Sequence, residues 1–346
     1  MPKTGGFVWG SEETKFFFEL TPDRILNSVE EAGFRCTGRV QELNSMENRV
    51  YDVELEEGTT SLPDDARTAR SRIIKFYRPG RWSKGQILEE HEFLKDLSEN
   101  EVPVVPPLAF KTGETVREVK GLTIYYSIFP KVRGRAPQEL NNENLKVVGR
   151  LLARLHQVGA RKRAKHRIEI NPTSYGRDNL NHILQTRLVP DHFRDRYQSV
   201  VEKICEAGDP IFKSCETIRI HGDCHLGNLL WGSEGPFFLD FDDMLRGPPV
   251  QDMWLIVAGR DAEALEQREI LLSAYEEMRT FDRSTLQLIE ILRALRFIHF
   301  SAWIGKRWQD PAFPKHFPHF GSERYWEEQV TDLYEQWELI QTASGG

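Results

Sequence analysis

The stretch HGDCHLGNLLWGSEGPFFLD, residues 221–240, decides the fold more than any other part of the sequence. Two short apolar runs, residues 229–231 and 237–239, flank a turn that begins and ends with glycine. Apolar runs joined by such a turn predict a β-hairpin. Polar side chains stand just before and just after the hairpin, so the chain brings several groups capable of chemistry to its open end.

A register that pairs Leu229 with Leu239 puts Asn228 opposite Asp240 at that open end. Facing residues in such a pair lie about 4.5–5.5 Å apart. A carboxylate and an amide oxygen at this separation can share a hard cation, and Mg²⁺ favours sparse oxygen ligation completed by substrate phosphates. Asp223 lies upstream in the same loop, where it can receive a proton from an acceptor hydroxyl.

The polar residues of this loop have simpler interpretations as well. A lone Asp or Asn in a loop is usually a turn residue, but three of them at fixed offsets around an apolar hairpin favour a functional site. We interpret His221 and His225 as residues that shape the loop by hydrogen bonding to its backbone. Zinc ligation is the alternative, and it is disfavoured because phosphate chemistry on Mg²⁺ prefers oxygen ligands.

Length and composition limit the class of protein. The 346 residues suggest two packed units, because single cores stop growing at about 250–300 residues. A net charge of −7 argues against a nucleic acid partner. No apolar stretch approaches the roughly 18 residues of a membrane span, and the first residues do not resemble a signal peptide. The four cysteines lack C-x-x-C spacing, so we expect reduced thiols in a cytoplasmic protein.

Periodicity changes along the chain and predicts an α+β fold. In the first part it predicts helices over residues 21–32 and 86–97, and strands over residues 49–55, 71–77 and 122–129. From residue 141 the pattern becomes mostly helical, with strands only near residue 217–220 and in the hairpin. We therefore predict three parts, which are an extension (1–20), a small β-rich N-lobe (21–130) and a larger, mainly helical C-lobe (131–346).

Lys75 lies within an apolar strand, where an unpartnered ammonium group would be costly. We therefore expect a phosphate or carboxylate beside it; the alternative is an edge lysine in solvent. The following helix offers Glu89, Glu90 and Glu92. Glu90 shares a face with the apolar residues of that helix and is the predicted partner, whereas Glu89 and Glu92 are predicted to be solvated.

The motif H-G-D-x-H-x-x-N followed by L-D-F-D resembles the phosphotransferase signature of aminoglycoside and choline kinases. The stretches LNSMENRVY (43–51), KFYRP (75–79), GPPVQD (247–252) and DPAFP (310–314) extend the likeness to the bacterial stress response kinase A family. The resemblance covers roughly residues 21–337. It implies a bilobal protein-kinase-like fold and a serine/threonine protein kinase that uses ATP and Mg²⁺.

The resemblance also implies roles for individual residues. Asp223 matches the proton acceptor, and Asn228 and Asp240 match the Mg²⁺ ligands, with Asp240 counted among the catalytic residues. Ser45 lies in the turn that covers the ATP phosphates, although residues 43–51 contain no glycine.

Five further residues carry expectations. Lys75 matches the lysine that holds the ATP phosphates, and the helix face makes Glu90 its expected partner. Asp252 is implied to support the catalytic loop, the alternative being a helix N-terminal charge. Asp242 and Asp243 are either a solvated pair or a distant Mg²⁺ contact.

The leading hypothesis is transfer of the ATP γ-phosphate to a hydroxyl. The resemblance implies Ser/Thr hydroxyls of a protein substrate in a bacterial stress response, but the wider fold includes small-molecule kinases, so a small alcohol or aminosugar is the alternative acceptor. A metal-dependent phosphoesterase would need further Asp and His ligands. The presence together of Asp223, Asn228, Asp240 and Lys75 argues against a non-catalytic ATP-binding scaffold. We expect a monomer, with no nucleic acid or membrane partner.

Two features near the C-terminus have open interpretations. A basic stripe of Arg293, Arg296 and Arg307 is either a set of solvated cations at the edge of a packed helix or part of a surface for acidic substrates. Residues 308–320 are rich in Pro and aromatic residues and are predicted to form a rigid, irregular wall over the helical lobe.

Overall fold

The computed structural model of the protein describes residues 17–57, 70–186, 188–233 and 235–344. Most of the predicted N-terminal extension, residues 1–16, lies outside the described residues. The elements of the first lobe are, in chain order, α1 (Pro22–Glu31), β1 (Cys36–Leu43), β2 (Arg49–Leu55), β3 (Ser71–Phe76), α2 (Lys84–Glu99), β4 (Arg117–Glu118) and β5 (Tyr125–Pro130).

The strands form one antiparallel sheet in the order β1-β2-β3-β5-β4. β3 is the central strand, and Lys75 on it pairs with Val50 of β2 and Ser127 of β5. Ile74 and Phe76 point into a core that the sheet shares with α1. Because side chains alternate along a strand, Lys75 lies on the other face of the sheet.

Helix α2 belongs to the first lobe in chain order but packs against the second. A capping box begins it, in which Ser83 and Gln86 satisfy each other's backbone N–H groups. Phe93, Leu94 and Leu97 on one side of α2 belong to the large core of the C-terminal lobe. This packing fixes α2 against the second lobe, although along the chain the helix stands between β3 and β4 of the first lobe.

The second lobe is mostly helical, and its core lies among its helices. The predicted α+β fold, with a small β-rich lobe before a larger helical one, is confirmed. No helix among the described residues is long and apolar enough to cross a membrane.

The elements of the second lobe are, in chain order, α3 (Asn142–Ala160), α4 (Asp178–Gln185), α5 (Asp191–Ser214), β6 (Ile218–Ile220), β7 (Leu229–Gly232), β8 (Gly235–Phe238), β9 (Leu245–Gly247), α6 (Val250–Ile256), α7 (Ala262–Glu276), α8 (Leu288–Lys306), α9 (Ala312–His316) and α10 (Glu323–Ser344).

The predicted hairpin of β7 and β8 is present, but its predicted register is wrong by one residue. Leu229 pairs with Phe238 rather than Leu239, and Gly232 pairs with Gly235. Only two residues then separate the paired glycines, which is the shortest favoured hairpin connection. As a result Asn228 faces Leu239, whose N–H donates to the Asn228 carbonyl at 2.9 Å. Asp240 lies one position beyond the ladder.

Residues 308–320 cover α8 as predicted, but they are not irregular throughout. The short helix α9 lies inside this stretch, directly after Pro311, whose fixed φ suits the start of a helix. The ring centroids of Phe313 and Trp303, which lies on α8, are 4.9 Å apart, and those of Trp308 and Phe320 are also 4.9 Å apart. The aromatic wall is therefore part of the helical lobe.

Candidate active site

The loop between β6 and β7, residues 221–228, is held from below by Asp252 of α6. Its carboxylate accepts the backbone N–H groups of His221 and Gly222, each at 2.8 Å, and lies 3.1 Å from Nε2 of the buried His156. Gly222 has a φ of +88°, and a Cβ there would lie 2.2 Å from the carbonyl oxygen of Asp243, so only glycine fits. Asp252 thus supports the catalytic loop, which is the role that the family resemblance implied.

Asp223 and Asn228 are joined within this loop. Asn228 Nδ2 donates to the Asp223 carbonyl at 2.9 Å, which leaves the amide oxygen of Asn228 as its atom for a cation. The Asp223 carboxylate lies 2.8 Å from Arg296 Nη1 and 3.3 Å from His225 Nε2. Burial raises the pKa of Asp223, but the hydrogen bond from His225 and the charge of Arg296 outweigh it and hold the pKa well below its usual range. The group is therefore ionised at neutral pH, as a proton acceptor must be.

Asp240 leaves the hairpin in a left-handed backbone conformation, with φ of 55°. Asp tolerates this region better than most residues, and such geometry is often found where a side chain must be aimed at a site. The carboxylate lines the central cavity and is 57% exposed, with Oδ1 lying 3.3 Å from Lys75 Nζ. Asp240 therefore faces the cavity from the residues that follow the hairpin. It is not paired with Asn228, as the predicted register expected.

Lys75 is 7% exposed, so the alternative of an edge lysine in solvent is wrong. Its Nζ lies 3.1 Å from Asp242 Oδ1 and 3.6 Å from Glu90 Oε1, in addition to the contact with Asp240. Burial lowers the pKa of Lys75, but the charges of these three carboxylates outweigh it and raise the pKa well above its ordinary value. A permanently charged ammonium group thus lies at the inner end of the cavity.

The three glutamates of α2 have different surroundings. Glu90 is 1% exposed and lies against Lys75 and the buried Arg167. Glu92 is exposed, as expected, and pairs with Lys162 at the surface. Glu89 was predicted to be solvated, but its carboxylate accepts N–H groups of the backbone segment 165–167. The apolar face of α2 was sufficient to predict that Glu90 is buried and Glu92 is exposed. The contact of Glu89 could not be predicted, because nothing in the helix sequence indicates the distant segment 165–167.

Asp242 and Asp243 are not the solvated pair that one alternative proposed. Asp242 is 2% exposed, and both carboxylates accept hydrogen bonds from Arg81, which lies just before α2. Burial raises the pKa of Asp242, but Lys75 and Arg81 lower it well below its usual range. Arg81 was missed from the sequence because its partners lie 161 and 162 residues away.

The turn between β1 and β2 covers one side of the cavity, and Ser45 lines it there. Arg78 holds this glycine-free turn in place. Its side chain donates to the carbonyls of Met46 at 3.3 Å and Glu47 at 3.0 Å, and its backbone N–H donates to Asn48 Oδ1 at 3.1 Å. These bonds hold the turn in place without any glycine in it.

Glu47 attaches the same turn to the second lobe. Its carboxylate accepts from Arg307 Nη2 at 2.7 Å and Trp303 Nε1 at 2.8 Å, and Arg78 Nε lies 3.2 Å away. Burial raises the pKa of Glu47, but Arg307, Arg81 and Arg78 outweigh it and lower the pKa to about 2. Arg307 is therefore not one of a set of solvated cations; it joins the end of α8 to the turn over the cavity.

We expect Glu47→Gln to destabilise the protein by about 3 kcal/mol at pH 7, because it leaves buried guanidinium groups without their carboxylate. The folded-state pKa of Glu47 lies below its unfolded value of 4.5. The stability that the carboxylate contributes is therefore present above about pH 4.5 and is lost as the pH falls towards 2. Urea unfolding should show a gap between wild type and variant that shrinks by about half from pH 7 to pH 3.

Glu143→Gln is a suitable control for this experiment, because it removes an exposed carboxylate that pairs with Lys146 at the surface. It should cost much less than Glu47→Gln, since exposed ion pairs contribute little. A Glu47→Gln variant as stable as the control at pH 7, or a gap that does not change at pH 3, would contradict this role for Glu47.

One cavity of about 990 Å³ is lined by the predicted site residues, together with Arg81, Asp242, Asp243 and Arg296. This volume is at the upper end of the range for small-molecule sites and has room for a nucleotide and an acceptor. Among the described residues, no group of three or more His, Cys, Asp or Glu is arranged to hold a metal by itself. The six predicted site residues that line the cavity are Ser45, Lys75, Glu90, Asp223, Asn228 and Asp240.

Comparison with known proteins identifies relatives of this chain. Stress response kinase A from Escherichia coli (strain K12) is 38% identical over 326 residues, which cover 94% of this chain and 95% of that protein. Serine/threonine protein kinase RdoA from Salmonella typhimurium (strain LT2) is 38% identical over 325 residues, 94% of each chain. The solved structure of amicoumacin kinase hAmiN in complex with AMP-PNP, Ca²⁺ and Ami has a TM-score of 0.65 at 17% identity, covering 87% of this chain and 92% of that chain, which shows a shared fold.

The phosphotransferase enzyme family (APH) matches residues 39–289 of this chain. That match includes β2 to α7 and all six predicted site residues. The relatives at 38% identity carry kinase names over nearly the whole length of the chain. The chain therefore belongs to the phosphotransferase enzyme family and, within it, to the stress response kinase A family of ATP-dependent kinases.

Proposed function

We propose that this kinase transfers the γ-phosphoryl group of ATP, bound with Mg²⁺, to Ser or Thr hydroxyls of proteins. The observation that carries the proposal is that Lys75, Asp240, Asn228 and Asp223 line one cavity, in which Lys75 contacts Asp240 and Asn228 bonds to the Asp223 carbonyl. The name of one relative, serine/threonine protein kinase RdoA, supports a protein acceptor. A role in stress response follows the names of the other relatives in the same way.

The side chains suit a magnesium site of the sparse kind. Asn228 has one amide oxygen left after its Nδ2 bonds to the loop, and Asp240 directs a largely exposed carboxylate into the same cavity. An amide and a carboxylate with substrate phosphates are the ligands that Mg²⁺ commonly takes. The ion, when bound, would neutralise charge on the phosphate oxygens of ATP.

The protein residues then have the following roles in the proposal. Lys75 contacts the phosphates, and Glu90 keeps the ammonium group in position from the buried side. Ser45 and the backbone of its turn cover the phosphates from above. Asp223 accepts the hydrogen bond of the acceptor hydroxyl and then its proton. Positioning and charge neutralisation account for most of the catalysis in such transfers.

We expect Lys75→Ala to lower kcat/KM for ATP by about 10²-fold, since it removes one preorganised cation from the site. Glu90→Gln should have a similar but smaller effect, because Lys75 keeps Asp242 as a second carboxylate neighbour. Glu92→Gln, on the same helix but at the surface, is the matched control and should behave like the wild type. Steady-state kinetics with varied ATP measures all three. If Glu92→Gln is the damaging change, the partner of Lys75 has been assigned wrongly.

The acceptor is tested directly by transfer of labelled phosphate. Purified enzyme is incubated with Mg²⁺ and γ-labelled ATP, either with protein substrates or with a panel of amino alcohols and aminosugars. The proposal predicts label on Ser or Thr of protein, as acid-stable phosphoester, and labelling at least about 10²-fold slower with Asp223→Asn. Efficient labelling of one small alcohol without protein labelling would overturn the protein acceptor while leaving the kinase intact.

We also propose that the protein acts as a monomer in the cytoplasm. The four cysteines are free thiols in the fold, which suits a reducing compartment. Sedimentation equilibrium of the purified protein tests the monomer, and fractionation of cells tests the compartment. A stable dimer, or recovery outside the cytoplasmic fraction, would contradict the respective part.

A further inference from the structure

Arg296 is a half-exposed residue of α8 whose guanidinium group lies in the cavity against Asp223. Its Nη1 is 2.8 Å from Asp223 Oδ1, and its side chain is 44% exposed. Arg293, almost one turn earlier on α8, instead donates to the carbonyl of Ala258 and does not line the cavity. Arg296 is therefore placed for the site rather than for the packing of its helix.

The two buried cations of the cavity already have carboxylate neighbours. Lys75 contacts three carboxylates within 3.6 Å, and Arg81 donates to two. Both lie on the side of the cavity where β3 and α2 meet. Arg296 also lines the cavity, and its carboxylate neighbour is Asp223, the proposed proton acceptor. The proposed site of transfer thus has a guanidinium group directly beside the proton acceptor.

Distances support contact between this arginine and the transferring group. An acceptor hydroxyl bonded to Asp223 lies about 3 Å from the carboxylate and about 3–3.5 Å from the phosphorus that it attacks. A guanidinium 2.8 Å from the same carboxylate is within one rotamer change of the phosphoryl oxygens. Arginine is well suited to phosphate because its planar donors can form two hydrogen bonds at once.

We propose that Arg296 is a further catalytic residue, which moves from Asp223 Oδ1 to the oxygens of the γ-phosphoryl group as the acceptor arrives. This inference rests on the proposed function of the site. The acceptor oxygen forms its bond to phosphorus, and the bond from phosphorus to the β,γ-bridging oxygen breaks. ADP leaves with that electron pair, and the acceptor proton passes to Asp223. Arg296 keeps its own protons and stabilises the charge that spreads over the phosphoryl oxygens.

The test compares Arg296→Gln, Arg296→Ala and Arg296→Lys with Arg293→Gln as the matched control. We expect Arg296→Gln to lower kcat by about 10²–10³-fold, the usual effect of one lost charge-stabilising donor, with KM for ATP changed less than about threefold. Arg296→Lys should retain part of kcat, and added guanidinium chloride should restore part of it to Arg296→Ala. Arg293→Gln should keep kcat near that of wild type. Melting temperatures show whether each variant is folded.

Several outcomes would overturn the proposal for Arg296. One is a folded Arg296→Gln with kcat within about threefold of wild type or above it, since the ion pair would then merely restrain Asp223. Another is an effect only on KM for the acceptor, which would assign Arg296 to acceptor recognition. A third is a low kcat in Arg296→Ala that guanidinium does not restore. The proposed function fails separately, if Asp223→Asn keeps full activity.

Discussion

Asp223→Asn should lower kcat by about 10²–10⁴-fold while KM for ATP stays within about threefold of wild type. Asn has the shape of Asp and can still accept a hydrogen bond from Arg296, so the loop that Asp252 supports should keep its structure. It cannot accept the acceptor proton. Lys75 and Asp240 are left untouched, which is why nucleotide binding should change little. Steady-state kinetics with saturating acceptor measures both constants.

Asp209→Asn is the matched control for this prediction. Asp209 pairs with Arg177 at 3.0 Å, outside the cavity, so the variant removes an Asp–Arg pair without touching the site. It should keep the kcat of wild type. An Asp223→Asn enzyme with full activity would remove Asp223 from the mechanism. A variant that loses ATP binding and activity together would place Asp223 in nucleotide binding instead.

The second large effect is expected for Asp240→Ala, which should abolish the dependence of ATP binding on Mg²⁺. The loss in affinity for the metal complex should exceed about 10²-fold, because even residues behind metal ligands cost about 10–100-fold when changed. Lys75 keeps Glu90 and Asp242 as partners, so its strand should remain in place. Calorimetric titration of ATP with Mg²⁺ and with EDTA measures the two affinities. In the variant they should agree within about threefold.

Two further variants make the Asp240 result interpretable. Asp240 has a φ of 55°, which Asn tolerates better than Ala, so Asp240→Asn separates the loss of the carboxylate from backbone strain. Asp332→Ala removes an exposed Asp of α10 and should bind ATP like the wild type in both media. If Asp240→Ala keeps a large difference between Mg²⁺ and EDTA, the metal is held elsewhere.

Local patterns predicted the two lobes and the hairpin because those signals lie within short windows of sequence. Strand β1 was not predicted, since five of its eight residues are exposed and its apolar residues are only partly buried. It is an edge strand, so neither face gives the alternation that marks a half-buried strand. Helices α5 and α10 were covered only by the general expectation of a helical lobe.

In the candidate site, too, residues close together in the sequence could be predicted as neighbours, and residues far apart could not. Asp223, Asn228 and Asp240 stand within one stretch of 20 residues, so spacing alone could bring them together. Glu47 and Arg307 are 260 residues apart, and their ion pair exists only because the lobes pack. Arg296 was named as part of a basic stripe, but helix periodicity gives no information about the loop that its side chain meets.

The most direct test of the central claim is a crystal structure of the protein with Mg²⁺ and a non-hydrolysable ATP analogue. We expect the metal on Asn228 Oδ1 and the Asp240 carboxylate, with Lys75 Nζ beside the phosphates. The γ-phosphorus should lie within about 5–6 Å of the Asp223 carboxylate, the separation that an intervening hydroxyl requires. A metal bound to other side chains, or a nucleotide outside the cavity, would contradict this mechanism.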